Sequence, residues 1–192
     1  MKQSSTEGNA VERLKSGNTN FVNDTLNNDF QDSSRRKDVI DGQNPFAVVL
    51  TCSDSRIVPE LIFDIGIGEL FIIRVAGNVA NPTSIASIEY AVAHLNVKLI
   101  VVLGHQSCGA VTAALAGVDK GNNIDHLFSF IKPAISMSDS KKIDDVSHIH
   151  AKLTADKLIK DSSIISKAIE DNALKIIPAY YSLESGQVDF FE

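Results

Sequence analysis

Three continuous runs of apolar residues alternate along the chain with segments whose apolar positions follow a helical period. The runs are FAVVLTC (46–52), LFIIRVAGN (70–78) and VKLIVVLGH (97–105). Short runs that are apolar at every position are typical of parallel strands covered on both faces. They predict three buried strands at the centre of the fold.

Two helices are predicted around the third strand. TSIASIEYAVAHLN (83–96) places its apolar residues on one face, with Thr83 or Ser84 as the N-cap. CGAVTAALAG (108–117) predicts a second helix that ends at Gly117, because glycine readily adopts the left-handed conformation that ends helices. This alternation of strands and helices is typical of an α/β domain.

The two ends of the chain differ from this central part. The first forty residues are polar, and NAVERLKSGNTNFVNDTL (9–26) predicts a helix in an arm that has little core of its own. Residues 119–148 are polar and predict no definite element. TADKLIKDSSIISKAIEDN (154–172) predicts one or two helices with a break at Ser162–Ser163, and ALKIIPAYYSLESGQVDFF (173–191) predicts two strands joined by a turn.

Together these elements predict an α/β fold. We expect a central, mostly parallel sheet of about four strands plus an antiparallel edge strand, flanked by helices, with an N-terminal helical arm. Pro178 interrupts the fourth strand and predicts a bulge or an edge there, because proline has no N–H to donate. Residues 1–192 are expected to form a single domain, with residues 1–40 as an arm that packs on a partner subunit.

Composition and charge exclude several classes of protein. The formal net charge is −6, so the basic surface of a nucleic-acid-binding protein is missing. No apolar stretch is long enough to cross a bilayer, so we expect no membrane association. The start, MKQSSTEGNA, lacks the hydrophobic core of a signal peptide. We therefore expect a cytoplasmic protein, or a periplasmic one if a signal peptide has been removed.

The two cysteines are too few for a disulfide scaffold, and each stands next to a predicted strand end. Cys52 ends the first apolar run, while His105 and Cys108 follow the third. Ligands gather beyond the carboxyl ends of parallel strands, and a Cys-His-Cys donor set suits Zn²⁺ with a fourth position left open. Taken singly, each cysteine also fits a small buried apolar residue, and the histidine fits an ordinary structural hydrogen bond.

Asp54 and Arg56 follow the first cysteine in the stretch CSDSR. Two residues apart in an extended segment, their side chains can project to the same side. An arginine fork binds a carboxylate through two hydrogen bonds and keeps it ionised. Such a carboxylate can orient a zinc-bound water, or occupy the fourth zinc position itself. The simpler interpretation is a salt bridge that stabilises the loop.

Four stretches, in this order and spacing, resemble the β-class carbonic anhydrases. They are CSDSRIVPELIFD, GELFIIRVAGN, SIEYAV and LIVVLGHQSCGAV. The resemblance runs from Gly42 to Gly117 and resumes more loosely at LKIIPAYYSLESGQVDF, where the family usually has glycine at the position of Pro178.

This resemblance implies one Zn²⁺ per subunit, held by Cys52, His105 and Cys108, with Asp54 and Arg56 as the catalytic pair. The implied reaction is the reversible hydration of CO₂ to bicarbonate and a proton, by attack of zinc-bound hydroxide on CO₂. Two thiolates donate more charge to the metal than two imidazoles do. We therefore expect a higher pKa for the bound water than in three-histidine carbonic anhydrases, and activity that rises with pH.

The resemblance also implies a substrate pocket that lies across a dimer interface. Gln43, Phe71 and Tyr90 stand where the family has its pocket glutamine and two aromatic residues. A small apolar substrate suits a hydrophobic pocket with one polar group to orient it. We therefore expect CO₂ or bicarbonate as ligand, and a homodimer or a dimer of dimers.

One subgroup of the family is inhibited by bicarbonate at a second site. It shares Arg74 with this chain but has tryptophan where this sequence has Val49, and Tyr180 or Tyr181 is the counterpart of its tyrosine. Because the tryptophan is missing, we expect no intact regulatory site and an Asp54 that stays paired with its arginine. The remaining histidines are expected at the surface or packed on helices: His94, His126, His148 and His150.

Two alternatives to CO₂ hydration stay open. The same zinc scaffold can hydrolyse carbonyl sulfide or carbon disulfide, because such relatives share the motifs and differ in access to the pocket. A non-catalytic, zinc-stabilised interaction domain is the other alternative. The Asp54–Arg56 pair argues against it, because closed structural zinc sites normally have four protein ligands and need no such carboxylate.

Overall fold

A computed structural model of the chain describes residues 10–117 and 121–191. Its central sheet consists of β1 (Ala47–Thr51), β2 (Leu70–Arg74), β3 (Leu99–His105), β4 (Lys175–Tyr181) and β5 (Val188–Phe190). The strand order is β2-β1-β3-β4-β5; the first four strands are parallel, and β5 is antiparallel to β4. The predicted α/β sheet with an antiparallel edge strand is therefore confirmed.

Helices cover both faces of this sheet. Those in the described residues are α1 (Ala10–Val22), α2 (Ser33–Asp38), α3 (Pro59–Ile62), α4 (Pro82–Leu95), α5 (Gly109–Ala116), α6 (Asn122–Met137), α7 (Ile143–Asp161) and α8 (Ser163–Glu170), with a 3₁₀ turn at Ala76–Asn78. The break predicted at Ser162–Ser163 separates α7 from α8. Across the same residues, no helix is both long and apolar enough to span a bilayer.

The alternation of side chains along β1 divides the core into two layers. Val48 and Leu50 point to the face covered by α4, α7 and α8, and Ala47 and Val49 point to the face covered by α1 and α3. All five residues of β1 and all seven of β3 are buried. This explains why both sequences are apolar at nearly every position.

A third apolar cluster lies beyond the carboxyl ends of β1 and β3. It contains Cys52 and Cys108 together with Phe128 and Ile131 of α6 and Val146 of α7. Residues 119–148 predicted no definite element, yet 122–137 and 143–148 are helical; residues 119 and 120 lie outside the described part of the chain. The apolar face of α6 buries itself on the cysteine cluster and so shields it from water.

Helix α4 begins earlier than predicted. Its N-cap is Asn81, not Thr83 or Ser84, and Pro82 occupies the first turn. The Asn81 side chain accepts the Ser84 N–H at 2.9 Å, and the Ser84 hydroxyl accepts the Asn81 N–H at 2.9 Å. The prediction was wrong because proline, with its preset φ and missing N–H, favours the first helical turn, so that the cap falls on Asn81, the residue before Pro82.

Pro178 lies in β4 where the pairing with β5 ends. No bulge interrupts the pairing of β4 with β3, in which Pro178 lies opposite Val102. The carbonyl of Pro178 accepts the Phe191 N–H at 2.9 Å, just beyond the last β5 pair. Because N and O of one strand residue face the same side, the missing N–H breaks no bond to β3. Of the two predicted outcomes, the structure shows a local edge.

The N-terminal arm has more contact with its own subunit than its sequence predicted. Val11 and Leu14 of α1 are buried in the core layer formed with α3. The Asn18 side chain donates to the Gly186 carbonyl at 2.8 Å and accepts the Val188 N–H at 2.9 Å. α2, in contrast, has no buried residue. Residues 1–9 of the predicted arm lie outside the described residues, and packing of the arm on a partner subunit stays a prediction.

Replacing Gly17 with alanine tests this docking of α1. A Cβ atom at Gly17 would lie 1.7 Å from the carbonyl oxygen of Phe63. Alanine is normally better than glycine within a helix by about 1 kcal/mol. Here we expect G17A to lower the free energy of unfolding by about 1–3 kcal/mol, because α1 must shift away from the core. Urea unfolding measures this, with exposed Ser16→Ala as the control. A G17A protein as stable as the parent would contradict the packing.

Candidate metal centre

The carboxyl ends of two neighbouring parallel strands form the candidate metal centre. Cys52 follows β1 directly, and His105 is the last residue of β3. The strands pair in register with Thr51 opposite Leu103, so their ends lie side by side. Cys108 is the N-cap residue of α5 and returns toward the same point. The fold therefore joins residues that are far apart in sequence.

The structure brings the three predicted donors together. The sulfur atoms of Cys52 and Cys108 and a ring nitrogen of His105 all lie within 4.8 Å of one another, and all three residues are buried. Nδ1 of His105 lies 2.9 Å from the carbonyl oxygen of Gln106, while buried Nε2 has no hydrogen-bond partner. The carbonyl can only accept, so Nδ1 carries the proton and Nε2 presents a free lone pair. Two free thiols and such a nitrogen fit a zinc ion.

The two thiols strongly affect each other's acidity. A hydrogen bond from the Cys108 thiol, assisted by the Gly77 and Asp54 backbone, lowers the pKa of Cys52 despite its burial. The same hydrogen bond, together with burial, raises the pKa of Cys108. The two pKa values therefore shift in opposite directions, because one thiol donates its hydrogen bond to the sulfur of the other. Metal ions bind thiolates, so a cation bound by this pair would displace the thiol proton, which would be released to solvent.

Asp54 and Arg56 form the bidentate pair that their spacing predicts. Nε and Nη2 of Arg56 donate to the two carboxylate oxygens of Asp54 at 2.9 and 2.7 Å. The Arg56 side chain holds the pKa of Asp54 far below its usual range, which keeps the carboxylate ionised. The guanidinium in turn has favourable charge interactions with both cysteine sulfurs. The dyad therefore borders the donor cluster.

Asp144 of α7 holds the loop between His105 and Cys108, although the sequence did not single it out. Ser107 has a left-handed backbone, with φ of 53°, and its N–H donates to Asp144 of α7 at 2.9 Å. Its carbonyl accepts from Nη2 of Arg56 at 3.3 Å. Burial and a hydrogen bond to Asp144 raise the pKa of Tyr180. Asp144 lies in the polar stretch that predicted no element, so no sequence signal marked it.

The turn after β2 supplies a backbone hydrogen bond to Cys52. The backbone N–H of Gly77 donates to the Cys52 sulfur at 3.2 Å. Gly77 has φ of +67°, a conformation that favours glycine. The motif RVAGN contains this residue, but no sequence feature shows which atom its amide faces.

Arg74 binds the backbone of the segment that follows β1. Its Nη2 and Nε donate to the carbonyl oxygens of Asp54 and Cys52 at 2.7 and 3.3 Å. Val49, at the position where the bicarbonate-inhibited subgroup has tryptophan, is fully buried in the core. The ring of Tyr180 stacks on His148, with centroids 3.7 Å apart.

The three predicted pocket residues lie on segments of the chain other than those that carry the donors. Gln43 is exposed in the segment before β1, and Phe71 is half-buried on the outermost strand, β2. Tyr90 of α4 is 48% exposed, with its ring centroid 6.3 Å from that of Phe71. Their predicted role across a dimer interface stays a prediction.

Fold and site together define a class: an α/β protein with a buried Cys-His-Cys group that could hold a metal ion at the carboxyl ends of parallel strands, beside a carboxylate–arginine dyad. The family model described as carbonic anhydrase matches residues 47–188. Carbonic anhydrase 2 of Mycobacterium tuberculosis is 38% identical over 185 residues, covering 93% of this chain and 89% of that protein. The chain belongs to the β-carbonic anhydrases, a family of enzymes.

Solved structures agree with this assignment. The β-carbonic anhydrase CafA of Aspergillus fumigatus has a TM-score of 0.73 at 28% identity, covering 83% of this chain and 81% of that chain. A structure from Sordaria macrospora, described as one of two tetrameric β-carbonic anhydrases, has a TM-score of 0.71 at 27% identity, covering 78% and 82%.

Proposed function

We propose that this protein catalyses the reversible hydration of CO₂ to bicarbonate and a proton, with one Zn²⁺ per subunit held by Cys52, His105 and Cys108. The single observation that carries the proposal is the buried group of three donor atoms within 4.8 Å. Among the described residues this group contains three protein donors, which leaves a tetrahedral ion one position for water. When bound, zinc lowers the pKa of that water so that a nucleophile exists near neutral pH.

The chain's own side chains supply orientation and charge. Asp54, held ionised by Arg56, would accept a hydrogen bond from the nucleophilic water and so orient a lone pair of the water oxygen toward the CO₂ carbon. Arg56 also binds the Ser107 carbonyl, so one guanidinium connects the Asp54 loop to the loop between His105 and Cys108. The apolar cluster around the donors suits a small apolar substrate and limits competing water.

Stopped-flow CO₂ hydration by the zinc-loaded protein, measured between pH 6.5 and 9, tests this proposal. We expect activity to rise with pH, because two thiolates leave the centre roughly neutral and the nucleophilic water ionises late. Asp54 adds no second titration in this range, since a carboxyl whose pKa is depressed is already ionised above pH 5. A flat profile contradicts the donor set; carbonyl sulfide hydrolysis without CO₂ hydration favours the alternative substrate.

We further propose a homodimer or a dimer of dimers in which Gln43, Phe71 and Tyr90 complete the pocket across the interface. In support, β2 is an outermost strand, and the ring of its half-buried Phe71 lies 6.3 Å from that of the half-exposed Tyr90 of α4, measured between centroids. Unpaired strand edges with apolar side chains favour association. Sedimentation velocity tests this, and an active monomer contradicts it.

A further inference from the structure

His150 is a buried imidazole that the proposed reaction does not use. It lies on α7, is 1% exposed, and places Nε2 2.7 Å from the carbonyl oxygen of Gly77. The carbonyl can only accept, so Nε2 carries the proton and donates it. Burial lowers the pKa of His150, which keeps the ring neutral and therefore in this one-proton form. The imidazole thus holds the carbonyl group of Gly77 in place.

Gly77 transmits this contact to the metal centre. While its carbonyl accepts from His150, its N–H donates to the sulfur of Cys52 at 3.2 Å. A side chain at position 77 would crowd its neighbours, because a Cβ atom there would lie 3.0 Å from Cδ1 of Ile131 and 3.2 Å from Cβ of Ala110.

The turn around Gly77 needs support from outside. Two successive residues, Gly77 and Asn78, have left-handed backbone angles, with φ of 67° and 45°. Sparsely populated conformations such as that of Asn78 persist where surrounding contacts determine them. The hydrogen bond from His150 is such a contact, and it comes from a helix that is far from the turn in sequence.

We propose that His150 is a positioning residue for the metal centre: it holds the turn at Ala76–Asn78 so that the Gly77 amide hydrogen-bonds to the Cys52 sulfur. The inference rests on the proposed function, in which Cys52 ligates zinc. A hydrogen bond to a metal thiolate draws charge from the sulfur and fixes its direction, and partners of this kind tune metal affinity. His150 acts on the metal only through Gly77.

Two substitutions of His150 with side chains of similar size separate this role from simple packing. His150→Gln keeps an N–H that can reach the Gly77 carbonyl, and His150→Met fills similar space without a donor. In the Co²⁺-substituted protein we expect H150M to shift the thiolate-to-metal charge-transfer band to lower energy, and zinc affinity to fall about tenfold or more. H150Q should keep the band near its original position. Leu158→Ala, fully buried on the same helix, is the control that lowers Tm without moving the band.

The outcomes distinguish this inference from the proposed function. If the parent protein binds neither Zn²⁺ nor Co²⁺, the proposed function fails. If the parent binds metal and H150M keeps the parent's band and zinc affinity, the inference about His150 fails. Should H150M not fold, NMR of the ¹¹³Cd-substituted parent decides. We expect a proton on Nε2 of His150 and a coupling between the Gly77 amide proton and ¹¹³Cd; a proton on Nδ1, or no coupling, overturns the inference.

Discussion

Replacing Cys52 with serine is expected to remove zinc from the protein and to abolish CO₂ hydration. A serine hydroxyl stays protonated at neutral pH and is a harder donor than a thiolate, so it is a poor substitute in this site. Loss of an outer-shell partner typically costs 10–100-fold in metal affinity. We therefore expect losing a direct ligand to lower zinc affinity by more than about 100-fold, with a parallel loss of the hydration rate.

Zinc content after dialysis and stopped-flow hydration rates measure this effect. Ser53→Ala is the matched control, because Ser53 is exposed in the same loop and is not one of the three donors. Chelation of zinc from the parent protein should reproduce the C52S result, and adding zinc back should restore the rate. A C52S protein that keeps one zinc per subunit and the parent's rate would exclude Cys52 as a ligand.

Replacing Arg56 with alanine is expected to lower CO₂ hydration by about 100-fold or more, in the range typical of losing a positioned acid–base group. The variant removes both side-chain hydrogen bonds that hold the Asp54 carboxylate, so its pKa should rise toward the usual range. The backbone N–H of residue 56, which donates to Oδ1 of Asp54 at 3.0 Å in the parent, is kept, but the carboxylate loses its guanidinium partner and can turn toward a metal held by the three donors. Occupation of the fourth position by Asp54 would exclude water.

A double variant distinguishes this switching from simple loss of orientation. If freed Asp54 blocks the metal, R56A with Asp54→Ala should be more active than R56A alone. Arg56→Lys should retain part of the rate, because lysine keeps the charge but not the planar fork. Ser55→Ala is the control, since Ser55 is exposed between the two residues. An R56A rate within twofold of the parent would leave the dyad without a catalytic role.

The sequence predicted most of the sheet because short runs that are apolar at every position are typical of strands buried on both faces. Strands β1, β2 and β3 fall within the three runs, and β4 and β5 fall within the C-terminal segment. Local competition explains the failure at α4: Asn81 and Pro82 together form a better helix start than Thr83 or Ser84. Helix α6 was not predicted although Phe128, Ile131 and Ala134 recur at helical spacing, and Pro133 within the same stretch is a residue that normally interrupts helices.

The sequence by itself indicated three candidate donors, the Asp54–Arg56 pair and the positions of the strands, because residue chemistry and runs of apolar residues are local properties. The strand order β2-β1-β3-β4-β5 was decided by packing. Tertiary structure alone decided which residues support the loops around the candidate donors and the N-terminal helix. It placed His150 against Gly77, Asp144 against Ser107, and Asn18 of α1 against the turn before β5. Each of these contacts joins segments whose sequences carry no mutual signal, since a hydrogen bond across the fold depends on where the packed helices lie. The candidate donors and the dyad are therefore visible in the sequence, and the contacts that hold them only in the fold.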